Sequence, residues 1–96
     1  GGNDFLAGQA GNDNLRGGGG KDTFVFDGGK DVIVDYAAGV DNLVFDKGLK
    51  NKLNKKKLGN LSETSGDDLV FDFGKNELTL KNVASFGDIS DDISFI

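Results

Sequence analysis

The chain has 96 residues, 36% of them hydrophobic and 28% charged, with a formal net charge of −5, which is enough for one domain with one modest core. It contains no His, Cys, Met, Trp or Pro. That excludes disulfides, thiolate zinc sites and the Ser-His, Cys-His and HExxH catalytic sets.

No run of about 20 apolar residues exists, so no segment is expected to span a membrane. The chain opens on Gly1 rather than Met. It is expected to be a piece of a larger protein, with any N-terminal targeting signal outside it. Apart from Glu63 and Glu77, every acid is Asp, and there are 16 Gly. Asp and Gly are turn residues: the short carboxylate reaches nearby backbone, and Gly adopts positive φ without cost.

The first third of the chain is a repeat. Asp4, Asp13, Asp22 and Asp31 keep a constant step. Gly2, Gly11, Gly20 and Gly29 precede them at a fixed offset, and Leu6, Leu15, Phe24 and Ile33 follow at another. Gly8 and Gly17 open the second and third units, and a weaker fifth unit follows at Gly39-Val40-Asp41-Asn42-Leu43. Each unit is half turn and half short strand, with one large apolar side chain to bury, and cannot fold alone. Two units make one coil with strands on opposite sides, and each coil needs its neighbour. Leu6 and Phe24 are then expected to stack on one sheet, and Leu15 and Ile33 on the facing sheet.

This stacking sets an electrostatic problem. Asp4 and Asp22 fall one coil apart on one edge, and Asp13 and Asp31 on the other, at the roughly 4.7–4.9 Å spacing of neighbouring strands. Carboxylates that close repel unless a cation lies between them. Asp and carbonyl oxygens in a Gly-rich turn suit Ca²⁺ rather than Mg²⁺ or Zn²⁺.

The units Gly-Asn-Asp-Phe-Leu-Ala, Gly-Asn-Asp-Asn-Leu-Arg, Gly-Lys-Asp-Thr-Phe-Val and Gly-Lys-Asp-Val-Ile-Val resemble the RTX (hemolysin-type) nonapeptide repeat, G-G-x-G-x-D-x-U-x. The match runs over residues 1–34. Between Gly8 and Val25 only Gln9 departs from it, and Phe26 and Asp27 replace the leading Gly pair of the fourth unit. The resemblance implies Ca²⁺ ligands at Asp4, Asp13, Asp22 and Asp31. It also implies carbonyl donors among Gly2, Gly8, Gln9, Ala10, Gly11, Gly17, Gly18, Gly19 and Gly20, with about two to four ions bridging successive turns.

Beyond the repeats, strands are expected at Phe24–Phe26, Val32–Tyr36 and Leu43–Phe45. The segment Lys47–Leu58 is the one helix candidate, with Leu49 and Leu53 on one face. Its lysines read as a solvated face, or alternatively as a polyanion patch at Lys55, Lys56 and Lys57 for an acidic polysaccharide. Nucleic acid is not expected, because the chain is acidic overall and the run lacks interleaved aromatics. Ser65-Gly66-Asp67-Asp68 reads as a turn. Leu69–Phe73 and Leu78–Leu80 read as a hairpin closed by Gly74-Lys75-Asn76, and Ile93–Ile96 as a last strand. Asp67-Asp68 and Asp91-Asp92 read as solvated turn and tail acids rather than a catalytic pair. Phe71, Phe73 and Phe86 are placed to close the end of the stack.

The fold expected is therefore all-β: a parallel β-roll, or β-solenoid, with a C-terminal β-hairpin cap and one short helix. Residues 1–96 are expected as a single monomeric domain, with roll repeats over 1–46 and a capping region over 47–96. The resemblance implies a non-catalytic module of a secreted bacterial protein. Its C-terminal segment Asp92-Ile93-Ser94-Phe95-Ile96 partly fits the uncleaved export signal read by type I secretion machinery. An attached protease, lipase, toxin, adhesin or epimerase would each fit. The alternative function is a carbohydrate-binding accessory module.

Overall fold

The computed structural model describes residues 5–7, 11, 13–46, 48, 53–83 and 85–96. Five short strands come first: β1 (Phe5–Ala7), β2 (Asn14–Leu15), β3 (Thr23–Phe26), β4 (Lys30–Ile33) and β5 (Asn42–Phe45). Helix α1 (Lys55–Leu61) follows, then β6 (Ser62–Ser65), β7 (Asp68–Asp72), β8 (Glu77–Leu80) and β9 (Ile93–Phe95). Two 3₁₀ turns, Phe86–Asp88 and Ser90–Asp92, lead into β9.

Successive strands from β1 to β5 alternate between two sheets. One sheet has the order β1-β3-β5-β9 and the other β2-β4-β8-β7-β6. Leu6 pairs with Phe24, and Phe24 with Leu43. On the other sheet Leu15 pairs with Ile33, and Ile33 with Leu80. The two expected stacks of apolar residues are therefore in place. Phe24, Ile33, Leu43 and Leu80 are at most 1% exposed and belong to one core, with Leu6 and Leu15 packed against it.

A wholly parallel architecture does not describe both sheets. The first is parallel throughout, through β9 on β5. The second is mixed, because β6, β7 and β8 run antiparallel to one another while β8 runs parallel to β4. The cause is the tight turns at Gly66-Asp67 and Gly74-Lys75: a two-residue link reverses the chain, whereas a parallel neighbour needs a long crossover. Strands from both sides of residue 46 share each sheet.

Two expected elements are displaced and one strand is new. The strand placed at Val32–Tyr36 starts at Lys30 and ends at Ile33, with Val34 and Asp35 in a bend. The helix placed at Lys47–Leu58 runs instead from Lys55 to Leu61, and Leu49 lies outside the described residues. Asn54 sets its start by accepting the Lys57 N–H at 2.9 Å, an N-cap that satisfies one of the open donors of the first turn. Strand β6 was not expected, since Ser62-Glu63-Thr64-Ser65 carries no apolar residue.

The aromatic end closure holds. Phe71 is fully buried, with its ring centroid 5.3 Å from Phe45 and 6.0 Å from Phe86. Phe73 lies 5.9 Å from Phe26. Such tilted and edge-on pairs add to what their burial contributes. Among the described residues no helix is long and apolar enough to cross a membrane.

Candidate metal centre

The site is built by the turns that precede the repeat strands. Asp13 stands just before β2, and Asp31 lies in β4, the strand that pairs with it. The Asp13 N–H donates to Asp31 Oδ1 at 3.0 Å. The second oxygen of each carboxylate, Asp13 Oδ2 and Asp31 Oδ2, is buried and receives no hydrogen bond. A carboxylate accepts and does not donate, so a buried oxygen with no donor calls for a proton or a cation. Asp31 is 1% exposed. Burial raises its carboxyl above the ordinary 3.8; the Asp13 N–H opposes this, and the charges of Asp13 and Asp27 add to it.

The backbone packs closely around these groups. Gly29, with φ +80°, lies so near Gly11 that a β-carbon there would run into the Gly11 carbonyl oxygen. On the other edge, a β-carbon at Gly17 would collide with the Asp22 carboxylate. Asp22 is fully buried, and its N–H donates to Asp41 Oδ1 at 2.9 Å. Gly18 and Gly20 take positive φ and Gly19 does not. These turns need Gly for the close approach of backbone or carboxylate.

Of the expected ligands, Asp13, Asp22, Gly11, Gly17, Gly18, Gly19 and Gly20 lie in these turns, and Asp31 lies in β4. Asp13 and Asp31 are brought together directly; Asp22 belongs to the turn ahead of β3 in the other sheet. Asp4, Gly2, Gly8, Gln9 and Ala10 lie outside the described residues. Lys55, Lys56 and Lys57 form the first turn of α1 and do not belong to the repeat turns. Lys55 and Lys56 are exposed and Lys57 is half-buried.

Four residues that hold the turns were not identified as such from the sequence. Asp35 accepts the N–H of Gly17 at 3.0 Å and of Gly18 at 2.8 Å. Asp41 accepts from Asp22 and also from Ala37, at 2.9 Å. Asn76 Oδ1 accepts the Gly29 N–H at 2.9 Å. Asp92 Oδ2 accepts the Gly39 N–H at 2.9 Å and lies 3.1 Å from the Tyr36 hydroxyl. Asp92 is therefore an anchored group and not a solvated tail acid. Asp68 is likewise engaged: its bonds to Lys81 at 2.9 Å and to the Asn82 N–H lower its carboxyl. Asp67 is exposed. A weak signal for Asp41 existed in the fifth unit; the partners of Asp35, Asn76 and Asp92 are set by long-range pairing alone.

The donor set is entirely oxygen, from carboxylates and Gly-rich backbone. Among the described residues no three acids converge on one point, so a hard cation here would complete its shell with carbonyl oxygens, as Ca²⁺ does. The orphaned oxygens of Asp13 and Asp31 fit that requirement. A search of curated proteins gives no match to this chain. Residues 1–33 match the RTX calcium-binding nonapeptide repeat family, in four copies. The acidic, glycine-dependent turns agree with this match, and residues 1–33 are similar to the RTX, hemolysin-type calcium-binding repeats.

Proposed function

We propose that this chain is a folding module whose repeats coil when Ca²⁺ enters the acidic turns. The ligands are Asp4, Asp13, Asp22 and Asp31, with carbonyls drawn from Gly2, Gly8, Gln9, Ala10, Gly11 and Gly17 to Gly20, for about two to four ions in all. The observation that carries the proposal is the Asp13–Asp31 pair: two buried carboxylate oxygens without a donor, one layer apart. The alternation of β1 to β5 between two sheets supports a β-roll over the repeats. Ca²⁺ supplies positive charge and oxygen coordination; the chain supplies the spacing and excludes water from the Asp31 side.

In a Ca²⁺-poor bacterial cytosol the stacked carboxylates repel and the entropy of the Gly-rich turns is unopposed, so the repeats stay unfolded. An unfolded chain can thread a narrow type I export channel, and folding outside the cell then holds it there. The module does no chemistry of its own and supports the folding of a larger secreted protein.

Calorimetric titration of Ca²⁺ into the full chain tests this. Ions are expected to bind with a dissociation constant of about 10⁻⁴–10⁻³ M, the range of extracellular modules. Asp13→Asn combined with Asp31→Asn is expected to remove at least one ion, and Asp67→Asn none. Absence of binding at millimolar Ca²⁺, or an unchanged ion count in the double variant, overturns the proposal.

A further inference from the structure

The turn from Arg16 to Asp22 is held from the next layer by a residue outside the repeats. Asp35 follows β4 and stands 18 residues after Gly17. Both of its carboxylate oxygens are engaged. Oδ1 takes the Gly17 N–H at 3.0 Å, and Oδ2 the Gly18 N–H at 2.8 Å. Asp41 is used the same way, with Oδ1 on the Asp22 N–H and Oδ2 on the Ala37 N–H, both at 2.9 Å. These two acids differ from Asp13 and Asp31, which each keep a buried oxygen without a donor.

The direction of these bonds has a consequence for the carbonyls. A trans peptide plane points its N–H and its C=O opposite ways. Fixing the N–H groups of Gly17 and Gly18 on Asp35 therefore turns the carbonyls of Arg16 and Gly17 away from Asp35. Asp35 precedes β5, and β5 and β1 pair with opposite sides of β3. The two carbonyls thus face the side of the coil that carries β1.

We infer that Asp35 is a positioning residue for calcium. It touches no ion; it aims the Gly17 carbonyl, with that of Arg16, toward the β1 side of the coil. This inference rests on the reading of the repeat turns as calcium sites. It adds that the third layer on this edge is joined to the second by carboxylate-to-N–H bonds in place of an ion.

The test uses the full chain with Asp35→Ala and Asp35→Asn. Ca²⁺ is titrated while backbone ¹³C carbonyl resonances are followed by NMR. In the parent chain the Arg16 and Gly17 carbonyl resonances are expected to move on Ca²⁺ binding. At saturating Ca²⁺, Asp35→Ala is expected to fold with one ion fewer by native mass spectrometry, and without those shifts. Its binding midpoint rises about tenfold, the scale of a charge-assisted hydrogen bond. Asp35→Asn keeps one acceptor and is expected to recover part of the shift. A purely structural role would weaken binding but leave the ion count and the two carbonyl shifts intact at saturation, which overturns the inference. Failure of both variants to fold at saturating Ca²⁺ also overturns it, as a structural role. If the parent chain binds no Ca²⁺, the underlying reading fails and this inference with it; if the parent binds and Asp35→Ala behaves identically, only the inference fails.

Discussion

At Asp31 the fold holds a carboxylate where water cannot reach it, beside Asp13 and within the field of Asp27. Its pKa is raised on folding, so the folded chain holds that proton more tightly than the unfolded one. In the absence of metal, this group therefore favours the fold below its ordinary 3.8, and that contribution is lost as pH rises through the raised value. On the proposed reading Ca²⁺ reverses the preference, because it would bind the deprotonated form. In EGTA, acidification through this window is expected to increase β content by circular dichroism in the parent chain, and less so in Asp31→Asn, which lacks the titrating group. Identical pH profiles would contradict the assignment. The glycines give a second test at this scale. Gly17→Ala drives a β-carbon into the Asp22 carboxylate, whereas a β-carbon at Gly19 meets nothing within 4 Å. Gly17→Ala is expected to destabilise the Ca²⁺-loaded fold by about 1–3 kcal/mol, and Gly19→Ala to be close to neutral. Thermal melts of both variants at saturating Ca²⁺ check the contrast.

Among the elements, β9 and the segment before it tie the C-terminal end to the turns around Tyr36 and Asp41. β9 pairs with β5. The Tyr36 hydroxyl lies 3.0 Å from the Asp41 carbonyl and 3.1 Å from Asp92 Oδ2. Burial, and then the neighbouring Asp92 and Asp41, push the Tyr36 hydroxyl well above its ordinary pKa, so it stays a donor. Tyr36→Phe leaves these acceptors short of a donor and is expected to cost about 1–3 kcal/mol. An unchanged melting temperature at saturating Ca²⁺ would show that this tie carries no stability. The strands with a local apolar signal were legible in advance: Phe24 and Phe26 in β3, Leu43 and Phe45 in β5, Leu69 and Phe71 in β7, Leu78 and Leu80 in β8. So was the pairing of Leu6 with Phe24 and of Leu15 with Ile33, since a constant repeat step fixes the register. Strand β6 was not, because Ser62 to Ser65 pairs through backbone alone. Nor was the early end of β4, where Asp35 turns out of the strand to meet Gly17 and Gly18. The addition of β8 to β4, across more than forty intervening residues, leaves no local trace in either segment. For the site, the step of the Asp residues pointed to Asp13 and Asp31. The supporting acceptors Asp35, Asn76 and Asp92 follow from those distant pairings.

For the whole molecule the proposed function sets charge repulsion and turn entropy on one side against a small core plus bound metal on the other. The core joins both sheets through Phe24, Phe45, Phe71 and Leu80. At external Ca²⁺ tenfold above the dissociation constant, each ion adds about 1.4 kcal/mol, and two to four ions about 3–6 kcal/mol. That is comparable to the lower end of the 5–15 kcal/mol or so that stabilises a typical domain. Metal on this account decides whether the chain is folded, and the most direct measurement is far-ultraviolet circular dichroism of the full chain, first in EGTA and then through a Ca²⁺ titration. The expected result is a disordered spectrum without metal that converts cooperatively to a β spectrum at sub-millimolar to millimolar Ca²⁺. A β spectrum already complete in EGTA and unmoved by Ca²⁺ would contradict it.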